Sequence, residues 1–204
     1  MSGPTNFLNP LKTGPTVVVA AVGEAEGARG AAAALACAAA DFDLAALFVD
    51  VGGKAPRPAL LASSAAQKLE ERLAAHIPGA GVAARGQVCH LAVSADTDGL
   101  ASAAAAAAVT RETATVVHVS PRLLQEALEC DLRPSGVLLR VELAQDRPLL
   151  ALVARDLLAR GLDFTVLKHR LPWVAERRAL FGALPAASQG APPARLLRRL
   201  GLAG

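Results

Sequence analysis

The stretch Thr16–Ala40, TVVVAAVGEAEGARGAAAALACAAA, constrains this chain more than any other. An apolar, β-branched run ends at Gly23, a short glycine-bearing loop follows, and an alanine-rich helix begins near Gly27. A strand apolar on both faces belongs inside a parallel sheet. A strand–loop–helix of this kind is also the frame on which nucleotide-binding α/β proteins cradle phosphate, using backbone N–H groups and the helix N-terminus. Gly23, Gly27 and Gly30 have a purely structural use as well, in turn geometry and close helix–sheet packing.

The rest of the chain repeats the alternation. Leu44–Val51 (LAALFVDV) reads as a second buried strand with Asp50 near its carboxyl end, and Ala59–Ile77 as an amphipathic helix. Gln87–Val93 is a third strand, followed by an alanine-rich helix to Val109 that Asp96 or Asp98 caps. Thr113–Val119 is a fourth strand, and Ser120-Pro121 opens a short helix to Glu129. Gly136–Leu143 is a fifth strand; Asp146 caps a helix over Arg147–Arg160, which Gly161 closes. Phe164–His169 is a sixth strand, and Pro172 begins a last helix over Trp173–Phe181. Alternating strands and helices imply right-handed crossovers. The expected fold is therefore α/β: three layers, with a mostly parallel sheet, helices on both faces and Thr16–Val22 internal.

With 204 residues the chain is expected to form one such domain over 16–182. Residues 1–15 read as a loose lead-in, and 183–204 as a Pro/Gly linker with a short basic end. The net charge is +3, there is no Tyr and only one Trp, so base stacking is poorly supplied and no nucleic-acid partner is expected. Cys37, Cys89 and Cys130 are odd in number and widely spaced, which fits neither a disulfide framework nor a zinc site. Cys37 and Cys89 read as small core residues. Met1–Pro15 contains no apolar stretch of signal-peptide character, and a cytoplasmic location is expected. His76, His90, His118 and His169 show no metal-ligand spacing, so no metal is expected, and His118 reads as a hydrogen-bonded core residue. Glu142 and Asp146 follow a strand and could line the carboxyl edge of the sheet; the favoured reading of the pair is a helix cap and a surface charge.

A phosphate loop of the G-x-x-x-x-G-K-[ST] type needs a Lys for the β/γ-phosphates and a hydroxyl for Mg²⁺. With Gly23 as the first glycine, Ala28, Arg29 and Gly30 fall at the second glycine, the Lys and the hydroxyl. With Gly27 as the second glycine, Ala28 and Arg29 fall at the Lys and the hydroxyl. Neither register keeps the chemistry, and Glu24 and Glu26 would repel a polyanion at short range. ATP or GTP hydrolysis is accordingly disfavoured, no cofactor is expected and no catalytic residue is assigned. A dinucleotide site, the alternative, would use Gly23, Gly27 and Gly30 with Asp50 as the ribose acid. Its glycine spacing is G-x-x-x-G-x-x-G rather than G-x-G-x-x-G.

The order of elements resembles the MinD/ParA-like branch of P-loop ATPases, which includes polar pilus-assembly proteins of the CpaE/TadZ kind. GEAEGARGAAAALA is similar to that family's phosphate loop and following helix, LFVDV to its second strand, and VVHVSP to its Walker B strand, with His118 where the family has Asp. GVLLRVEL resembles a later core strand, and FTVLKHR the strand that carries the family's base-binding Asn. The resemblance spans roughly 16–170. It implies a pseudo-ATPase acting through protein partners in polar or division-site localisation, or in pilus or secretion assembly.

Two surfaces stand out. KHRLPWVAERRALF gathers Lys168, His169, Arg170, Arg177 and Arg178 around Trp173 and Phe181, the residue types of interface hot spots. A protein partner, or a homodimer, is expected there. In ARLLRRLGLAG (194–204), Leu196, Leu197 and Leu200 would gather on one side of a helix and Arg195, Arg198 and Arg199 on the other. Similar tails anchor MinD-like proteins to membranes. Two or three turns are marginal for an isolated helix, so this segment is expected to fold against a partner or the protein's own body.

Overall fold

The computed structural model describes residues 14–23, 27–43, 45–57, 59, 61–141, 146–168 and 194–202. Seven strands form one sheet: β1 (Thr16–Ala21), β2 (Ala46–Val51), β3 (Gly81–Arg85), β4 (Val88–Val93), β5 (Ala114–Val119), β6 (Gly136–Val141) and β7 (Phe164–Lys168). The described helices are α1 (Ala28–Ala40), α2 (Ser64–His76), α3 (Thr97–Val109), α4 (Leu124–Glu129, entered through a 3-10 turn at Pro121–Leu123), α5 (Arg147–Ala159) and α6 (Ala194–Arg199). The strand order is β3-β4-β2-β5-β1-β6-β7, parallel throughout except for the antiparallel β3–β4 pair. As its unbroken apolar run requires, β1 lies inside the sheet, between β5 and β6.

Alternate residues of each strand feed two cores. On one face Val17, Val19, Phe48, Val116 and Leu138 pack with α1 and α6; on the other Val18, Leu47, Leu91, Val117 and Leu139 pack with α2, α3, α4 and α5. The alanine runs behave differently in the two layers. In α1 the alanines are buried all round, because the helix lies between the sheet and the leucines of α6. Small side chains let it sit close to both. In α3 only the stripe Gly99, Leu100, Ala103 and Ala106 is buried, at helical spacing on one face.

The structure corrects the sequence reading in four places. The second helix begins at Ser64, where Ser63 caps it by accepting a hydrogen bond from Ala66 N–H at 3.2 Å. Residues before Ser63 are outside the helix, and Ala62 bridges to Gly86. Next, β3 has no counterpart in the sequence reading; it folds back as a hairpin through Gly86, whose φ is +58°. Finally, Asp146 occupies the cap position of α5 yet makes no side-chain capping bond, and it is buried rather than a surface charge. Ser120 likewise starts its helix without a side-chain cap.

The C-terminal segment packs on the protein's own body. Leu196, Leu197, Leu200 and Leu202 are buried in the α1-side core, and Arg195, Arg198 and Arg199 face solvent. Among the described residues no helix is long and apolar enough to cross a membrane. The expected helix over Trp173–Phe181 and the linker over 183–193 lie outside the described residues.

Candidate functional site at the carboxyl ends of the strands

In an open parallel sheet, crevices form where neighbouring strands send their following connections toward opposite edges. The order here creates two: β2 and β5 diverge, and so do β1 and β6. The period-two rows that fill the α1-side core continue into polar residues as they reach these carboxyl ends. Phe48 is followed by Asp50, Val88 by His90, Val116 by His118 and Leu138 by Arg140. Four ionisable side chains are thereby placed on the face that α1 covers.

Asp50 is the centre of this group. It is only 1% exposed and stands directly opposite His118 in the β2–β5 register. His118 Nδ1 lies 3.0 Å from Oδ1. The guanidinium of Arg29, reaching over from α1, forms an ion pair with Oδ2. His90 Nε2 is 3.7 Å from Oδ2, an electrostatic contact, and its ring stacks on Phe48 at 4.8 Å between centroids. Burial pushes the Asp50 carboxyl up, but the His118 and His90 imidazoles and the Arg29 charge outweigh it and hold the group well below the usual carboxylate range. Asp50 is therefore an ionised carboxylate under the sheet's α1 layer.

Gly53 closes this site from the side of the β2 exit. A Cβ placed there would overlap the Asp50 carboxylate, so the position requires glycine for space. Gly53→Ala is expected to displace the carboxylate and to destabilise the protein by ~1–3 kcal/mol, the usual cost of overpacking a close-packed site. Urea unfolding measures this, and an unchanged midpoint would show the loop to be freely adjustable. Gly53 also borders an open cleft of about 630 Å³ lined by Gly52, Ile77, Gly79, Ser94 and Ser102.

The second crevice holds the phosphate-loop frame. Gly23 has φ +68°, and a Cβ on it would overlap the Asp146 carboxylate. Gly27, at φ +85°, is the uncapped N-terminus of α1, and Arg140, buried, lies beneath it. Gly30 is in the first turn of α1. The structure thus brings together Gly23, Gly27, Gly30, Arg29 and Asp50 at one end of the sheet. Glu24, Glu26 and Glu142 lie outside the described residues.

Of the expected interface residues, Lys168 ends β7 at the sheet edge. His169, Arg170, Trp173, Arg177, Arg178 and Phe181 lie outside the described residues. Cys89 is buried and Cys37 mostly so; burial pushes their thiols up to about 12 and about 11, as for unreactive core residues. Among the described residues no group of three or more His, Cys, Asp or Glu side chains is arranged to hold a metal ion. The sequence reading did not single out Arg140, weighed His90 only as a metal ligand, and read Asp146 as a helix cap. The signal available for the first two was the two-residue offset that carries each apolar row into a polar residue.

No protein-family model, curated protein or solved structure matches the chain. Its class is the one that its own architecture defines: a three-layer α/β protein with a mostly parallel sheet. A carboxylate-centred polar cluster lies where such sheets bind their ligands.

Proposed function

We propose that this chain keeps the frame of a phosphate-loop α/β protein without turning over nucleotide, and that it acts through a protein partner. The setting would be localisation or assembly of the kind that the resemblance to MinD/ParA-like proteins implies. The observation that carries this reading is the Arg29–Asp50 ion pair. Arg29 occupies the position of the phosphate-binding Lys in one register of the loop, and its charge is committed to Asp50. The Asp146 carboxylate against Gly23 adds a fixed negative charge where a polyphosphate would approach. The same geometry weakens the dinucleotide alternative, because Asp50 is covered and engaged rather than presented to a ribose. Among the described residues large apolar side chains are exposed on α5, at Leu149, Leu152 and Leu158, and also at Phe42 and Leu61.

Titration calorimetry with ATP, GTP and NAD tests the nucleotide part. The expected result is no saturable binding tighter than ~1 mM, equivalent to less than about 4 kcal/mol. Tight binding, or hydrolysis that disappears in Arg29→Ala, would make Arg29 a working substitute for the Lys and overturn the reading.

A further inference from the structure

We propose that the open cleft at the carboxyl ends of β2 and β4 is a binding site for a small uncharged ligand that has an apolar body and donates a hydrogen bond. This goes beyond the partner reading and rests on none of its residues. The cleft measures about 630 Å³, within the ~300–1,000 Å³ of small-molecule sites. Four separate segments converge on it: the β2 exit at Gly52 and Gly53, the β4 exit at Ser94, the turn from α2 into β3 at Gly79, and α3 at Ser102. It lies at the end of a parallel sheet where ligands bind. The buried part of its wall is apolar: Ile77, Ala92 and Val93, each at most 9% exposed. Gly79 has φ +84°, and a Cβ on it would meet nothing within 4 Å, so the space beside this turn is unfilled.

The lining narrows the ligand. Among the described residues it contains no charged side chain, so an ion entering it would lose hydration without gaining a partner. The Asp50 carboxylate is kept out of it, sealed behind Gly53 and only 1% exposed. Ser94, exposed at the rim, gives its one hydroxyl hydrogen to Asp96 Oδ1 at 2.6 Å. Toward a ligand Ser94 Oγ can therefore only accept. Ser102 adds a second hydroxyl from α3. An apolar wall with an accepting oxygen at its rim suits an alcohol or a phenol. The body of such a compound displaces water from Ile77 and Val93, which supplies affinity. Its hydroxyl bonds to Ser94, which fixes orientation.

The probe is 2-naphthol, which is uncharged at neutral pH and carries one hydroxyl on an apolar two-ring body. It is titrated into the full chain, labelled with ¹⁵N, and backbone amide shifts are followed. The expected result is saturable movement of the Gly52, Gly53, Gly79 and Ser94 amides with Kd below ~1 mM. Naphthalene-2-sulfonate, the same body with a charge, is expected to bind about tenfold or more weakly. Ser94→Ala is expected to weaken 2-naphthol by about two- to tenfold, the worth of one hydrogen bond. Ser102→Trp, which fills the cleft from α3, is expected to abolish saturation. Movement confined to the exposed leucines of α5, 2-naphthol affinity unchanged in a folded Ser102→Trp protein, or sulfonate binding as tight as 2-naphthol would each overturn the proposal. Should Ser102→Trp fail to fold, the wild-type chain decides: Overhauser contacts from the naphthol ring to the Ile77 and Val93 methyls support the site, and their absence at saturation refutes it. None of these outcomes bears on nucleotide binding, which the calorimetry reads separately.

Discussion

Asp50→Asn is expected to lower stability by ~2–3 kcal/mol, or roughly 5–10 °C in Tm for a chain of this size. Removing one partner of a buried ion pair usually costs about 3–5 kcal/mol. The lower figure applies because Arg29 is 42% exposed and water recovers part of its charge. His118 also loses its acceptor in this variant, and an asparagine amide can satisfy only one side of the cluster. The pH dependence follows from the depressed pKa. The folded-state value lies below the unfolded one of about 3.9, so the unfolded chain binds more protons between them. The Asp50 contribution is therefore complete above about pH 4 and is lost as pH falls below that. Chemical denaturation across the acid range should show a steep decline in the wild type and a flatter one in Asp50→Asn. Equal slopes would mean that the carboxylate is not held in its ionised form by the fold.

Deleting residues 194–204 is expected to abolish cooperative folding. Leu196, Leu197, Leu200 and Leu202 are all buried in the α1-side core, and Leu200 packs over Gly136 of β6. Burying a leucine contributes about 1.5–3 kcal/mol, so the four together contribute roughly 6–12 kcal/mol. That is comparable to the whole net stability of a domain, about 5–15 kcal/mol. Far-UV circular dichroism during urea titration is the measurement, and Leu197→Ala, expected to cost ~2–5 kcal/mol, is its graded counterpart. A truncated chain that unfolds at the wild-type midpoint would show that α6 is dispensable. The same burial bears on membranes: with its leucines turned inward, the described part of the segment presents Arg195, Arg198 and Arg199 to lipid. Any sedimentation with anionic liposomes should be weak and removed by salt. Strong, salt-resistant liposome binding would mean that the leucines leave the core.

The α/β class and the internal position of β1 were legible because both depend on local pattern. TVVVAA and ALFVDV are apolar on both faces, and that suits only a strand covered from two sides. Helix positions followed from periodicity, and the cap at Asp96 from side-chain chemistry that acts within three residues: its Oδ1 accepts from Gly99 N–H at 2.8 Å. The misjudged boundaries have local causes as well. The apolar run Ala59–Ala62 continues the spacing of α2 and hides the cap at Ser63. The β3 sequence GVAAR is too short and alanine-rich to show an alternation, and its hairpin pairing with β4 supplies what its own residues do not.

The candidate site divides along the same line. The sequence by itself determined that the phosphate-loop register lacks a Lys and a hydroxyl, since both follow from spacing along one segment. It also placed Asp50 near the end of its strand and read His118 as a hydrogen-bonded core residue. Only the tertiary structure decided that these two face each other, that Arg29 reaches from α1 to Asp50, and that Asp146 lies against Gly23. Asp50 and His118 are 68 residues apart, and their meeting depends on β5 inserting between β2 and β1. Strand order is set by which crossovers bury the most apolar surface over the entire sheet. No local pattern encodes that sum, so the partner of each buried charge is fixed only when the whole sheet has assembled.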